Sequence, residues 1–119
     1  MKCKDEGNEL CKKVQRGEGT MDDTVEAIRL YGQAVELCPP DEKKQKAIFH
    51  NNLGIAYTKL DKKLQAKGEF SKAIELNPEY AKPLYHRMNL YKGEEEYEAA
   101  LGDAQKILEV DPSFSSPQL

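Results

Sequence analysis

The feature that most restricts what this chain can become is a spacing: Tyr57 and Tyr91, Ala66 and Ala100, and Pro78 and Pro112 each stand 34 residues apart. A fixed period of about 34 residues marks a helix-turn-helix unit that cannot bury its apolar face alone and must stack on further copies of itself. With Ala47 as position 1, Leu53, Gly54, Tyr57, Ala66, Phe70, Ala73 and Pro78 occupy positions 7, 8, 11, 20, 24, 27 and 32. A second full unit starts without a gap at Ala81, placing Leu84, Tyr91, Tyr97, Ala100, Ile107 and Pro112 at positions 4, 11, 17, 20, 27 and 32. Upstream, Gly7, Leu10, Ala27, Tyr31, Ala34 and Pro39 fit positions 8, 11, 20, 24, 27 and 32 of an irregular first unit, with about eight extra residues between its helices and about five after Pro39.

These positions have physical reasons. Small residues at 8 and 20 let paired helices approach closely, the aromatic at 24 fills the space toward the next helix, and proline at 32 ends the second helix. Together they give expected helices at about 1–15, 21–38, 41–60, 63–76, 80–92 and 95–110. Thr20 reads as the cap of the second of these, and the acidic run Glu94-Glu95-Glu96 reads as the opening of the last, where negative charge suits the helix dipole. The third unit departs twice, with Met88 at the small position 8 and Ala104 at the aromatic position 24. Cores tolerate swaps that conserve volume, so the expectation is an altered crossing and not a lost repeat.

The pattern resembles the tetratricopeptide repeat, every signature position of the unit from Ala47 being filled except the first aromatic, where His50 stands. That resemblance implies an all-α fold, a right-handed superhelical stack of three helix-turn-helix pairs, with repeats at about 1–41, 47–80 and 81–114 in a domain spanning 1–112. The tail 113–119 is too short for the polar capping element that repeat stacks normally need, so a truncated end or a covering neighbour is expected.

Composition narrows the function classes. The chain has 119 residues, enough for one modest core, and a formal charge of −3, which argues against a general nucleic-acid or acidic-membrane binder. It has no apolar run of spanning length and no signal-peptide core at Met1-Lys2-Cys3-Lys4, so a cytoplasmic location is expected. Cys3, Cys11 and Cys38 have no Cys-x-x-Cys spacing, and phosphate-loop, nucleophile-elbow and paired-histidine motifs are missing. No enzyme activity, metal or cofactor is expected.

In this repeat family the first helix of each unit lines the concave face through positions 2, 5, 6, 9, 12 and 13. The residues there are Lys4, Asp5, Asn8, Cys11 and Lys12, then Ile48, Asn51, Asn52, Ile55, Thr58 and Lys59, then Lys82, Tyr85, His86, Asn89 and Lys92. An acidic chain thus reserves lysines and amides for its groove. Lysine supplies a point charge and asparagine a donor and acceptor pair, a combination suited to peptide carboxylates.

Lys4-Asp5-Glu6-Gly7-Asn8 further resembles the Lys-x-x-Gly-Asn opening of co-chaperone tetratricopeptide domains, whose dicarboxylate clamp holds the acidic C-terminal peptide of heat-shock chaperones of the 70 and 90 kDa classes. The resemblance assigns Lys4, Asn8, Asn52 and Lys82 to the clamp, with Lys12, Ile55, Lys59, Tyr85 and Asn89 as secondary groove residues. At the fifth clamp position, usually arginine, stands His86, followed by Arg87. A histidine there implies weaker binding, pH-sensitive binding through the imidazolium, or a different ligand, with Arg87 as a possible helper. His50, at a packing position, is expected to serve the core. Immunophilin co-chaperones share the layout, so the non-catalytic part of such a protein is one alternative. Another is a scaffold binding a protein, or a second copy of itself, through its convex face or open C-terminal edge.

Overall fold

The computed structural model describes residues 21–39 and 41–112, which form five helices: α1 (Met21–Leu37), α2 (Lys43–Lys59), α3 (Lys63–Leu76), α4 (Ala81–Gly93) and α5 (Tyr97–Val110). The fold is all-α, a repeat stack in which each helix packs on its chain neighbour and α2 also touches α4. Thr20 and the helix expected over 1–15 lie outside the described residues.

The period dictates the packing. Ala27, Tyr31, Ala34 and Cys38 of α1 and its end bury against Phe49 and Leu53 of α2, with the Tyr31 and Phe49 rings 6.1 Å apart. Ala66 and Phe70 of α3 form a second cluster with Leu90 of α4, and Ala81, Leu84 and Met88 join Ala100 and Ile107 of α5 in a third. Within α2 and α3 the close approach is literal: a Cβ on Gly54 would lie 2.4 Å from Cε1 of the fully buried Phe70. Met88 is 2% exposed, and Ala104 packs against the same cluster, so the two exceptional residues share one core and the third pair is intact. Cys38 behaves as a small apolar core residue.

The turns repeat as well. After α2, the Asp61 amide donates to Thr58 O and the Lys62 amide to Tyr57 O; after α4, Glu95 donates to Lys92 O and Glu96 to Tyr91 O. Both are Schellman caps, and both place a residue other than glycine in the left-handed region, Asp61 at φ 59° and Glu95 at φ 61°. The acidic run therefore does not open a helix as expected: Glu94 and Glu95 belong to the turn, Glu96 caps α5 without a side-chain bond, and Glu98 supplies the acid of the first turn. Glu94 instead accepts a hydrogen bond from Lys67 Nζ at 2.6 Å, tying the turn back to α3. Pro83 sits in the first turn of α4, where its missing N–H has no helical partner to lose.

Candidate functional site

Because the first helices α2 and α4 lie side by side, their inward faces enclose a groove of about 1100 Å³. Asn52, Ile55, Lys59, Lys82, Tyr85, His86 and Asn89 line it, and so do Ile48, Asn51 and Thr58. Tyr80 and Leu90 also contribute, and the position rule does not select them. Lys4, Asn8 and Lys12 fall outside the described residues, and Lys92, though on α4, is not part of the lining. Among the described lining residues there is no Asp or Glu, whereas Lys59 and Lys82 are both exposed.

The polar floor is held in place from below. Asn51 is 2% exposed and donates from Nδ2 to the Tyr80 hydroxyl at 3.4 Å, while its Oδ1 has no partner among the described residues. Tyr80 is the residue from which α4 starts, so this bond ties the two groove walls together. Burial raises the phenol's pKa, an effect the Asn51 bond partly offsets. Thr58 spends its hydroxyl on Gly54 O, 2.8 Å away, as helical threonines often do.

His86 is not the imidazolium that substitution for arginine suggested. Its ring lies on Phe70 with centroids 5.3 Å apart and 17° between planes, and meets Tyr85 nearly edge-on at 5.6 Å. Burial, aided by the positive charge of Lys82, lowers its pKa to about 4, so it is neutral near pH 7. Of the three consequences that a histidine at this position implies, pH-sensitive binding through the imidazolium is the one that this burial weighs against, because the ring is neutral between pH 6 and 8.

Arg87 does not help in the groove. Its Nε and Nη2 donate to the two carboxylate oxygens of Asp103 at 2.9 and 2.6 Å, Nη1 donates to Ser71 Oγ at 3.0 Å, and the guanidinium lies 5.7 Å from the Tyr91 ring. The fork against fork raises its pKa, because ionised Asp103 stabilises the cation. His50 is buried as its packing position implies, and it also has a polar partner, Glu69, whose Oε2 lies 3.1 Å from Nδ1. Burial works to raise the Glu69 pKa, but the His50 bond and charge, with Lys72, leave it lowered. Among the described residues no cluster of side chains suits a metal ion, and no helix is long and apolar enough to cross a membrane.

Residues 47–80 match the family model described as tetratricopeptide repeat. The chain is 33% identical over 90 residues to human serine/threonine-protein phosphatase 5, covering 76% of this chain and 17% of that protein. It is 29% identical over 82 residues to rat mitochondrial import receptor subunit TOM70, covering 69% of this chain and 13% of that one. This sequence thus spans less than a fifth of the length of either relative. Among solved structures, the first tetratricopeptide domain of Spaghetti (RPAP3), bound to the HSP90 peptide SRMEEVD, superposes with a TM-score of 0.74 at 22% identity, over 94% of this chain and 83% of that one. The family match over one repeat, the periodic core that continues it to either side and the superposition give this chain the fold of a tetratricopeptide-repeat domain.

Proposed function

We propose that this domain is an adaptor that captures the free acidic C-terminus of a heat-shock chaperone, of the 70 or 90 kDa class, in its concave groove, in the cytoplasm and without catalysis. The observation that carries the reading is the groove's composition: two lysines and three asparagines, with no acid among the described lining residues, in a chain whose net charge is −3. An extended peptide fits between α2 and α4, with Asn52 and Lys82 facing its carboxylates and Lys4 and Asn8 assigned to the same terminus by the clamp resemblance. The peptide held by the similar Spaghetti domain has this chemistry.

The test is calorimetry with that heptapeptide as free acid and as C-terminal amide, on the wild type and on Lys82→Glu. Lys82 is exposed, so the charge reversal leaves the fold intact. The expected result is loss of binding in the variant and with the amide, and weakening by salt on the scale of a Debye length of about 10 Å at 0.1 M. Equal binding of acid and amide would end the proposal.

A second reading has one observation in its favour. Tyr97, Leu101 and Leu108 of α5 are 63%, 59% and 55% exposed, and Leu101 and Leu108 stand in the register of Lys67 and Ile74, the α3 residues that meet the α4 unit. A scaffold would use this edge. The Lys82→Glu variant separates the two readings, because an α5-mediated complex survives it.

A further inference from the structure

If the groove binds a peptide terminus as proposed, the chemistry of its α4 wall decides which peptide ends it accepts. That wall presents Tyr80, Lys82, Tyr85, His86, Asn89 and Leu90. Of these, only Lys82 and His86 can carry positive charge, and they stand one helical turn apart. Lys82 is exposed. His86 lies flat on Phe70, which is fully buried, and against the edge of Tyr85. A ring stacked on Phe70 and set against the edge of Tyr85 has given up much of the water that would solvate an imidazolium, and no described carboxylate contacts it in compensation. The wall therefore offers one cation and a neutral aromatic surface.

We propose that the α4 wall of this groove supplies a charged contact for one carboxylate and not two: the chain end must be a free acid, while the last side chain is accepted uncharged, resting against His86 and Tyr85. This selectivity rests on the peptide-binding function and deepens it. Magnitudes favour it. A side-chain carboxylate that meets only an exposed lysine gains at most about five-fold in affinity, because water screens the pair and ordering both chains costs entropy. A guanidinium in the place of His86 would offer a forked, charge-assisted contact worth about ten-fold or more. The neutral wall thus broadens the accepted ligands from acidic ends to ends that are polar or apolar.

The experiment compares two free-acid peptides on the full chain by fluorescence anisotropy: Ser-Arg-Met-Glu-Glu-Val-Asp and the same sequence ending in Asn. The expected preference of the wild type for Asp is below about five-fold. His86→Arg is expected to raise it beyond about ten-fold by tightening the Asp peptide. His86→Gln, neutral in either state, is expected to keep the wild-type ratio, and carries the test if the arginine variant fails to fold. A wild-type preference above about ten-fold, or a ratio that collapses in His86→Gln, overturns the inference while leaving the peptide-binding reading in place. If the wild type binds neither peptide, both readings fall.

Discussion

The second helix pair, α2 with α3, and the third, α4 with α5, share one register but distribute volume and charge in opposite ways. At positions 8 and 24 the second pair has Gly54 and Phe70, a notch and the ring that fills it; the third has Met88 and Ala104, with the bulk supplied from the other helix. At position 23 both carry an acid, Glu69 or Asp103, but the partner moves by one turn along the first helix, from His50 at position 4 to Arg87 at position 7. The vacated positions are apolar in each case, Leu84 and Leu53. What the repeat fixes is the space to be filled and the charge to be matched, not which helix provides either.

The largest expected effect comes from forcing the third pair to copy the second at position 7. Arg87→Leu leaves Asp103, 5% exposed, buried without its partner, and is expected to cost about 3 kcal/mol or more in urea unfolding. Adding Asp103→Leu should return most of that loss, because a buried ion pair replaced as a whole by apolar groups is close to neutral. Recovery of less than half would show that Ser71 and Tyr91, which also hold Arg87, matter more than the ion pair.

Next in size are the volume swaps. Gly54→Ala drives a methyl group into the Phe70 ring and is expected to destabilise by about 1–3 kcal/mol. Ala104→Phe alone overpacks the third pair by a similar amount, about 1–3 kcal/mol, whereas combined with Met88→Gly it recreates the second pair's arrangement. The double-mutant cycle should show favourable coupling of about 1 kcal/mol or more; simple additivity would mean that these two positions do not share a space.

Acid tests the contact between the units, where His86 of α4 stacks on Phe70 of α3. The folded-state pKa of about 4 lies below the ordinary value of 6.5, so between those pH values the unfolded chain takes up a proton that the folded chain refuses. Stability contributed by neutral His86 is complete above pH 6.5 and is lost as pH falls toward 4. Thermal unfolding of His86→Gln should show a shallower fall over this window than the wild type, and parallel curves would contradict the assignment.

The smallest effect separates the two turns. Glycine at Glu95 removes the cost of a left-handed backbone and is expected to stabilise by about 0.5–1 kcal/mol; at Asp61 the gain should be smaller, because aspartate tolerates that region better.

Most of the fold is legible in the sequence because its determinants are local and periodic. Helices expected over 63–76 and 80–92 are observed at Lys63–Leu76 and Ala81–Gly93, since small residues, aromatics and the closing proline recur where the chain needs them. The start of α5 lies two residues beyond the expected one because three consecutive glutamates look like a helix opening, whereas the backbone bonds of the preceding Schellman turn decide the boundary. The groove residues other than Tyr80 and Leu90 follow from the family's position rule. The protonation of His86 does not, because Phe70, the ring that displaces its water, comes from the preceding unit 16 residues away. Arg87 escapes for a related reason: an arginine at a core position signals a buried acid, and the acid at position 23 of both units is the available clue.

Peptide capture between α2 and α4 is tested most directly by a backbone amide chemical-shift map during titration with Ser-Arg-Met-Glu-Glu-Val-Asp as the free acid. The large shifts are predicted to fall on α2 and the start of α4, at Asn51, Asn52, Ile55 and Lys82 to Asn89, and the C-terminal amide of the same peptide should leave them nearly unmoved. Shifts concentrated on α5, around Leu101 and Leu108, or an amide as effective as the acid, would contradict groove binding.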